Sequence, residues 1–159
     1  FAQAFASLSL PGDAEDASQR SIEDLSRRPP YEETVEALAL VRQRCRIAVL
    51  SNADDDFLLP GVERLGVEFE AVLSSEEARV YKPRPELFRE MLRRLKADPQ
   101  EVIYVGDRQL EDVQGAHQAG MRAVWINRYK TASDPNLPQP DYQISSLLEL
   151  PRILAKEQA

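Results

Sequence analysis

Short, mostly apolar runs alternate along the chain with segments whose apolar residues recur at helical spacing, and this alternation limits the fold more than any other feature. The runs at residues 47–50, 69–73, 101–105 and 122–126 predict strands, and a last short strand is predicted at 142–145. Helices are predicted among them, at residues 35–41, 57–65, 85–95 and 112–119. Because strands that alternate with helices form a parallel sheet covered on both faces, we expect an α/β fold with a doubly wound parallel sheet.

Charge and composition exclude several classes of function. The 159 residues carry 20 Lys and Arg against 27 Asp and Glu, a net charge of −7, which argues against nucleic acid or an anionic membrane as a partner. A single cysteine, Cys45, excludes an internal disulfide, and a single histidine, His117, excludes a histidine-rich metal site. No apolar run approaches the roughly 18 residues of a membrane span. We therefore expect a cytoplasmic protein with no membrane partner.

The first part of the chain differs from the rest. Its apolar residues have helical spacing, but a Pro-Gly pair at 11–12 and a Pro-Pro pair at 29–30 interrupt it. After the second pair the alternation of strands and helices becomes regular. We therefore expect two parts, a lead-in at residues 1–30 and an α/β core at residues 31–159.

Small polar and acidic residues follow three of the predicted strands. Ser51 and Asn52 follow the first strand, and Ser74 and Ser75 follow the second. Asp107 follows the third strand, after a glycine. The carboxyl ends of parallel strands lie at one edge of the sheet, where ligands of such folds bind, so we expect these residues to gather there. Hydroxyl, amide and carboxylate groups suit an oxyanion together with a hard cation, such as phosphate with Mg²⁺.

Three motifs, in order along the chain, resemble those of a known family. The strand that ends in Ser51-Asn52 resembles the second motif of the haloacid dehalogenase-like (HAD) superfamily, in which a strand ends in Ser or Thr. Lys82, in a Lys-Pro-Arg-Pro run that opens a helix, resembles the third motif. Asp107, with Asp112 five residues later, resembles the fourth. The match extends over most of the chain, and most members of this superfamily are phosphohydrolases.

The resemblance implies an enzyme that hydrolyses a small-molecule phosphate ester with Mg²⁺ as cofactor. Ser51 and Asn52 belong to the motif whose hydroxyl and backbone N–H groups hold the oxygens of the transferred phosphoryl group. Lys82 supplies a positive charge to that group. Asp107 is the implied Mg²⁺ ligand, and Asp112 is either a second ligand or a group that orients the first.

The first motif of the family has no counterpart in this sequence. In the family it is a strand that ends in Asp-x-Asp and carries the nucleophile, and no such strand precedes residue 47. We therefore expect a truncated member, with residues 1–30 as the remnant of a helical cap. The missing strand belongs between the strands that end at Leu50 and Val105, so its loss leaves backbone groups without partners.

Three arrangements would repair such a gap. The two strands that flank it would pair directly, or the first ten residues would lie over it. Alternatively, two copies of the chain would associate, which is a common route to a two-fold dimer. We predict a homodimer, in which Phe1, Phe5 and Leu8 help to cover exposed apolar surface.

Each of the implied site residues also has a purely structural interpretation. Ser51 or Asn52 would suit the N-cap of the next helix. Asp107 would suit a turn, and Asp112 the first turn of a helix. Lys82 would then be a solvated surface lysine.

Two further features are interpreted as structural, and two hypotheses about function stay open. The acidic run at 54–56 is interpreted as a solvated first turn of a helix, and His117 as a helix residue that is not a catalytic base. The first hypothesis is a phosphatase. The second is a catalytically inactive remnant that dimerises or binds phosphate.

Overall fold

The structure, a computed structural model, describes residues 1–157, and at residues 25 and 26 the backbone alone. Its helices are α1 (Ala2–Leu8), α2 (Ala14–Arg27), α3 (Thr34–Arg42), α4 (Asp55–Glu63), α5 (Ser75–Ala78), α6 (Pro85–Leu95), α7 (Gly115–Gln118) and α8 (Leu150–Glu157). Its strands are β1 (Ala48–Ser51), β2 (Ala71–Ser74), β3 (Ile103–Gly106), β4 (Arg122–Ile126) and β5 (Tyr142–Ile144). Short 3₁₀ helices lie at Pro99–Glu101 and Leu147–Glu149, and a π-helical segment, Gln109–Gln114, leads into α7.

The strands form two parallel sheets rather than one. β1 pairs with β2 in parallel, with Ala48 opposite Ala71. β3, β4 and β5 form the second sheet, in which Ile103 lies opposite Arg122 and Val124 opposite Tyr142. The predicted α/β fold is confirmed, and each predicted strand is present within two residues of its expected ends.

Helices cover both faces of the larger sheet, because successive residues of a strand point to opposite sides. On one face, Trp125 of β4 packs in a cluster with Phe88 of α6. On the other face, Val124 of β4 packs with Val41 of α3 and Ile153 of α8. This arrangement agrees with the prediction of a doubly wound sheet.

β1 and β3 face each other across an open slot. No backbone hydrogen bond joins the two strands within residues 1–157, and a cavity of about 540 Å³, which we call the slot, lies between them. The residues of both strands are only half-buried. Both strands are therefore less buried than expected of a parallel sheet covered on both faces. Each strand has a paired neighbour on one side only, and its other edge faces the slot.

Two of the three expected repairs are absent from the described part of the chain. β1 does not pair with β3. The slot is lined by residues from α3 onward and by none of the first ten, since α1 packs against α2. Phe1 and Leu8 are 57% and 68% exposed, so most of each side chain is uncovered within one chain. The homodimer stays a prediction.

Candidate active site

A buried ion pair lies at the carboxyl end of the strands. The Nζ atom of Lys82, in the loop before α6, is 2.6 Å from Oδ1 of Asp112 in the π-helical segment. The two side chains are 12% and 2% exposed. Such pairs are strongly coupled, because removal of one partner leaves the other as an uncompensated charge away from water. The structure therefore brings together two residues that are 30 positions apart in the sequence.

Asp112 is held through both of its carboxylate oxygens. Oδ1 accepts the ion pair with Lys82, and Oδ2 accepts a hydrogen bond of 2.8 Å from the backbone N–H of Arg108. Gly106, at the end of β3, makes this position accessible: a Cβ atom there would lie 2.2 Å from Cγ of Asp112. The glycine of the Gly-Asp motif is thus required by the close approach of Asp112, six residues later.

Asn52 holds the loop that carries the lysine. Its Oδ1 accepts a hydrogen bond of 2.8 Å from the backbone N–H of Lys82, and its Nδ2 donates one of 3.2 Å to the carbonyl of Lys82. The helix-cap interpretation of Ser51 and Asn52 is wrong, since α4 begins after Asp54. The pair of bonds indicates that Asn52 positions Lys82.

The second strand is followed by serines with structural roles. Ser74 caps α5, where its hydroxyl accepts a hydrogen bond of 2.9 Å from the N–H of Glu77. Ser75 donates to the carbonyl of Ala53 at 3.3 Å. Both serines are buried, so neither offers a free hydroxyl at the edge of the sheet.

Ser51 and Asp107 differ from these engaged groups. Ser51 ends β1, and Asp107 directly follows β3. Neither side chain has a hydrogen-bond or ion-pair partner among the described residues, and Asp107 is exposed. The backbone carbonyl of Asp107 accepts a hydrogen bond of 3.0 Å from Nε1 of Trp125, which fixes the turn. A hydroxyl and a carboxylate at this edge are therefore available to a ligand.

Tyr104 is a site residue that the sequence analysis missed. It lies on β3, and its hydroxyl accepts a hydrogen bond of 3.0 Å from Nζ of Lys82 and lies 3.2 Å from Oδ1 of Asp112. Burial, together with the Asp112 carboxylate, raises the pKa of the Tyr104 phenol well above its ordinary value. The signal in the sequence is weak, because a tyrosine in an apolar strand is equally typical of a core aromatic.

Two tyrosines and an arginine form a group within electrostatic range of Asp107. The guanidinium of Arg128, in the loop after β4, stacks on the ring of Tyr31 at 3.9 Å from its centroid and pairs with Glu33. The hydroxyl groups of Tyr31 and Tyr129 are 3.2 Å apart. This hydrogen bond raises the pKa of Tyr31, and the negative charge of Asp107 adds to the effect. The sequence analysis did not identify this group either.

The features interpreted as structural lie outside this site. Asp55 and Asp56 form the first turn of α4, as predicted for the acidic run. His117 lies on α7, and its Nε2 is 2.8 Å from Oδ2 of Asp141. That carboxylate also accepts the N–H of Ala123 near the start of β4, so the pair lies toward the opposite edge of the sheet.

Two carboxylates, those of Asp107 and Asp112, follow the same strand, β3. Within residues 1–157 no three Asp, Glu, His or Cys side chains converge, but Asp107 and Asp112 lie at the same strand end. Mg²⁺ is commonly bound through one or two carboxylates and retains several waters, so this donor set is compatible with it. Asp107 has the less engaged carboxylate of the two, because both oxygens of Asp112 already accept protein hydrogen bonds.

The chain is similar to known proteins over most of its length. A family model described as haloacid dehalogenase-like hydrolase matches residues 7–120. The chain is 34% identical over 143 residues to a phosphoserine phosphatase of Thermus thermophilus, a match that covers 88% of this chain and 57% of that protein. It is 31% identical over 144 residues to haloacetate dehalogenase H-2 of Moraxella sp., with 89% of this chain and 64% of that protein covered.

A solved structure gives the same result. The chain resembles a HAD phosphatase from Thermococcus onnurineus with a TM-score of 0.73 and 29% identity, over 94% of this chain and 68% of that one. The two curated relatives are longer, and this chain spans 57% and 64% of their lengths. Their names include both a phosphatase and a dehalogenase. The family match covers most of the sequence, and the chain belongs to the haloacid dehalogenase-like hydrolases.

Proposed function

We propose that the protein hydrolyses small-molecule phosphate monoesters with Mg²⁺. The observation that carries the proposal is the buried Lys82–Asp112 pair beside the unengaged carboxylate of Asp107. A phosphate dianion is repelled by carboxylates unless cations compensate the charge, and this edge offers one lysine and a donor set that fits a divalent cation. The phosphatases among the relatives support the same reaction class.

In this proposal, each residue at the carboxyl edge of the sheets has a different role. The free hydroxyl of Ser51 donates a hydrogen bond to an oxygen of the phosphoryl group. The ammonium group of Lys82 faces the same phosphoryl group, and its ion pair with Asp112 holds it in place. Asn52 fixes the backbone of Lys82. When bound at Asp107, Mg²⁺ neutralises charge on the phosphate ester.

The dehalogenase alternative is disfavoured by the fourth motif. Among the HAD proteins that this chain resembles, a Gly-Asp pair such as Gly106-Asp107 is typical of the phosphatases. The dehalogenases lack this metal-binding pattern. The lack of a partner for the Asp107 side chain among residues 1–157 supports the proposal of a ligand role. We assign the chain to phosphate esters on this ground.

The proposal includes a limit on rate. No strand ending in Asp-x-Asp precedes β1 within this sequence, so the 159 residues alone supply positioning and electrostatic stabilisation without the family nucleophile. We expect slow turnover without an aspartyl-phosphate at the family position. Detection of an acyl-phosphate by mass spectrometry would contradict this expectation.

The test is an assay of the purified chain with p-nitrophenyl phosphate, with and without Mg²⁺. We expect Mg²⁺-dependent hydrolysis that is lost in Asp107→Asn and retained in the matched variant Asp56→Asn, whose carboxylate lies in the first turn of α4. Equal rates in the two variants would overturn the assignment of Asp107. Release of chloride from 2-chloropropionate, without phosphatase activity, would favour the dehalogenase alternative.

A second candidate is a catalytically inactive protein that binds phosphate or dimerises. The open slot and the exposed Phe1 and Leu8 favour association of two copies. Light scattering at micromolar concentration tests this, and a monodisperse monomer of 18.0 kDa would exclude the dimer.

No helix within residues 1–157 has both the length and the hydrophobicity to span a bilayer. A cytoplasmic location remains part of the proposal.

A further inference from the structure

The hydroxyl of Tyr104 is surrounded by three polar groups from three different segments. It accepts a hydrogen bond of 3.0 Å from Nζ of Lys82. It also lies 3.2 Å from Oδ1 of Asp112 and 3.2 Å from the carbonyl oxygen of Leu50 on β1. No other side chain among the described residues is hydrogen-bonded to both members of the Lys82–Asp112 pair.

The number of available protons determines which group donates and which accepts in these hydrogen bonds. A phenol has one O–H donor and can accept from a neighbour at the same time. Because the ammonium group of Lys82 can only donate, Tyr104 must accept from it. The phenol proton is then left for either Asp112 or the carbonyl of Leu50. Tyr104 thus binds the cation with its lone pair and the anion, or the facing strand, with its proton.

The ring that carries this hydroxyl is held in place. Phe88 of α6 contacts it edge-on, with ring centroids 5.0 Å apart and an interplanar angle of 72°. Phe88 itself packs against Gly115, where a Cβ atom would come within 2.4 Å of its ring. Tyrosine has only two side-chain torsions, so a ring fixed in this way places its hydroxyl with little freedom.

We propose that Tyr104 is a positioning residue of the candidate active site, which restrains the ammonium group of Lys82 and keeps it paired with Asp112. Only the effect of Tyr104 on catalysis rests on the proposed function. The structural part, that the hydroxyl restrains Lys82, stands on the four contacts among these groups. Small displacements of a catalytic group strongly reduce the reaction rate, so a restraint on Lys82 favours catalysis.

The test compares two tyrosine-to-phenylalanine variants. Tyr104→Phe keeps the ring contact with Phe88 and removes only the hydroxyl. Tyr142→Phe is the matched control, because it removes a hydroxyl that bonds Glu157 on the far side of the larger sheet. The readout is the rate of acetylation of Lys82 by acetic anhydride, measured by peptide mass spectrometry. Exposed Lys96 and Lys156 are internal references.

We expect Lys82 to be acetylated about fivefold faster in Tyr104→Phe, the factor that corresponds to the net contribution of one hydrogen bond. We expect no change in Tyr142→Phe or at the reference lysines. An unchanged rate in Tyr104→Phe overturns the proposal. So does a parallel increase in the reaction of half-buried Cys45 with a thiol reagent, which would indicate a general loosening of the fold.

The assay of phosphatase activity separates this proposal from the proposed function. If p-nitrophenyl phosphate is hydrolysed, Tyr104→Phe is expected to lower kcat with little change in KM, because the charge of Lys82 remains while its position is relaxed. A rise in KM with kcat unchanged contradicts a positioning role. If the parent chain shows no activity, the proposed function fails, and the acetylation rates still decide whether Tyr104 restrains Lys82.

Discussion

The strands β1 and β3 are related in two different ways along their length. Near the Lys82–Asp112 pair, one side chain connects them: the hydroxyl of Tyr104 on β3 is 3.2 Å from the carbonyl of Leu50 on β1 and 3.0 Å from Nζ of Lys82. Between the strands themselves lies the slot of about 540 Å³, without backbone pairing among residues 1–157. The difference teaches that side-chain hydrogen bonds, rather than a continuous sheet, hold the candidate site together.

The largest effect is expected when the Lys82–Asp112 ion pair is broken. Lys82→Met leaves the Asp112 carboxylate, which is 2% exposed, without its cation. Breaking a buried pair in this way costs about 3–5 kcal/mol of unfolding free energy. Urea denaturation of the variant is the measurement, and Lys156→Met at an exposed position of α8 is the control. Equal losses in the two variants would mean that the pair does not stabilise this edge.

A smaller effect is expected at the glycine beneath the pair. In Gly106→Ala the new Cβ atom meets Cγ of Asp112 at 2.2 Å, so the aspartate must move. We expect a loss of about 1–3 kcal/mol in unfolding free energy, as for other overpacked sites. Gly61→Ala in α4 is the control, since its nearest neighbour is a side-chain nitrogen of Arg64 at 4.0 Å, and helix propensity favours alanine there. Loss of stability in the control alone would contradict the packing argument.

These two positions illustrate what could be predicted from the sequence. The order of strands and helices follows from local periodicity, and α6 begins and ends at the predicted residues, 85 and 95. The location of Ser51, Asn52 and Asp107 at the ends of strands was likewise predictable, because parallel topology alone brings the carboxyl ends of strands to one edge. Local pattern therefore determines much of the architecture and the approximate place of the site.

Contacts between distant parts of the chain were not predictable in the same way. The division into two sheets depends on which strands pair, and the apolar runs of β1 and β3 resemble those of fully buried strands. The bonds from Asn52 to the backbone of Lys82 join residues 30 positions apart, and nothing in their spacing indicates them. The predicted helix at 112–119 begins instead as the π-helical segment Gln109–Gln114, which places Asp112 against Gly106.

A third prediction separates ligand binding from stability near the Lys82–Asp112 pair. Asp107→Asn removes a charge that has no partner among the described residues, so we expect the unfolding free energy to change by less than about 0.5 kcal/mol. Affinity for Mg²⁺ should fall at least about tenfold, since even groups that only orient metal ligands have effects of that size. Calorimetric titration with Mg²⁺ measures it, with Asp54→Asn and Asp56→Asn as controls. Equal losses in all three variants would remove Asp107 as the ligand.

The smallest expected effect tests whether the slot is open in solution. Ile103 of β3 and Ile126 of β4 belong to the same apolar cluster, but Ile103 is half-buried in the wall of the slot, and Ile126 is 8% exposed. Ile126→Val should cost about 1 kcal/mol of unfolding free energy, within the usual range for this substitution. Ile103→Val should cost less than about 0.5 kcal/mol, because part of the deleted methyl group's surroundings is already empty.

Urea denaturation of both valine variants at two protein concentrations completes this test. Equal losses of unfolding free energy in Ile103→Val and Ile126→Val would show that the slot is filled in solution. The contrast between the polar contacts that join β1 to β3 and an open slot between the two strands would then be wrong. If those costs also rise with protein concentration, a second copy of the chain fills the slot, since only association links stability to concentration. A small, concentration-independent cost for Ile103→Val instead means that β1 and β3 are held together mainly by the polar contacts near the Lys82–Asp112 pair.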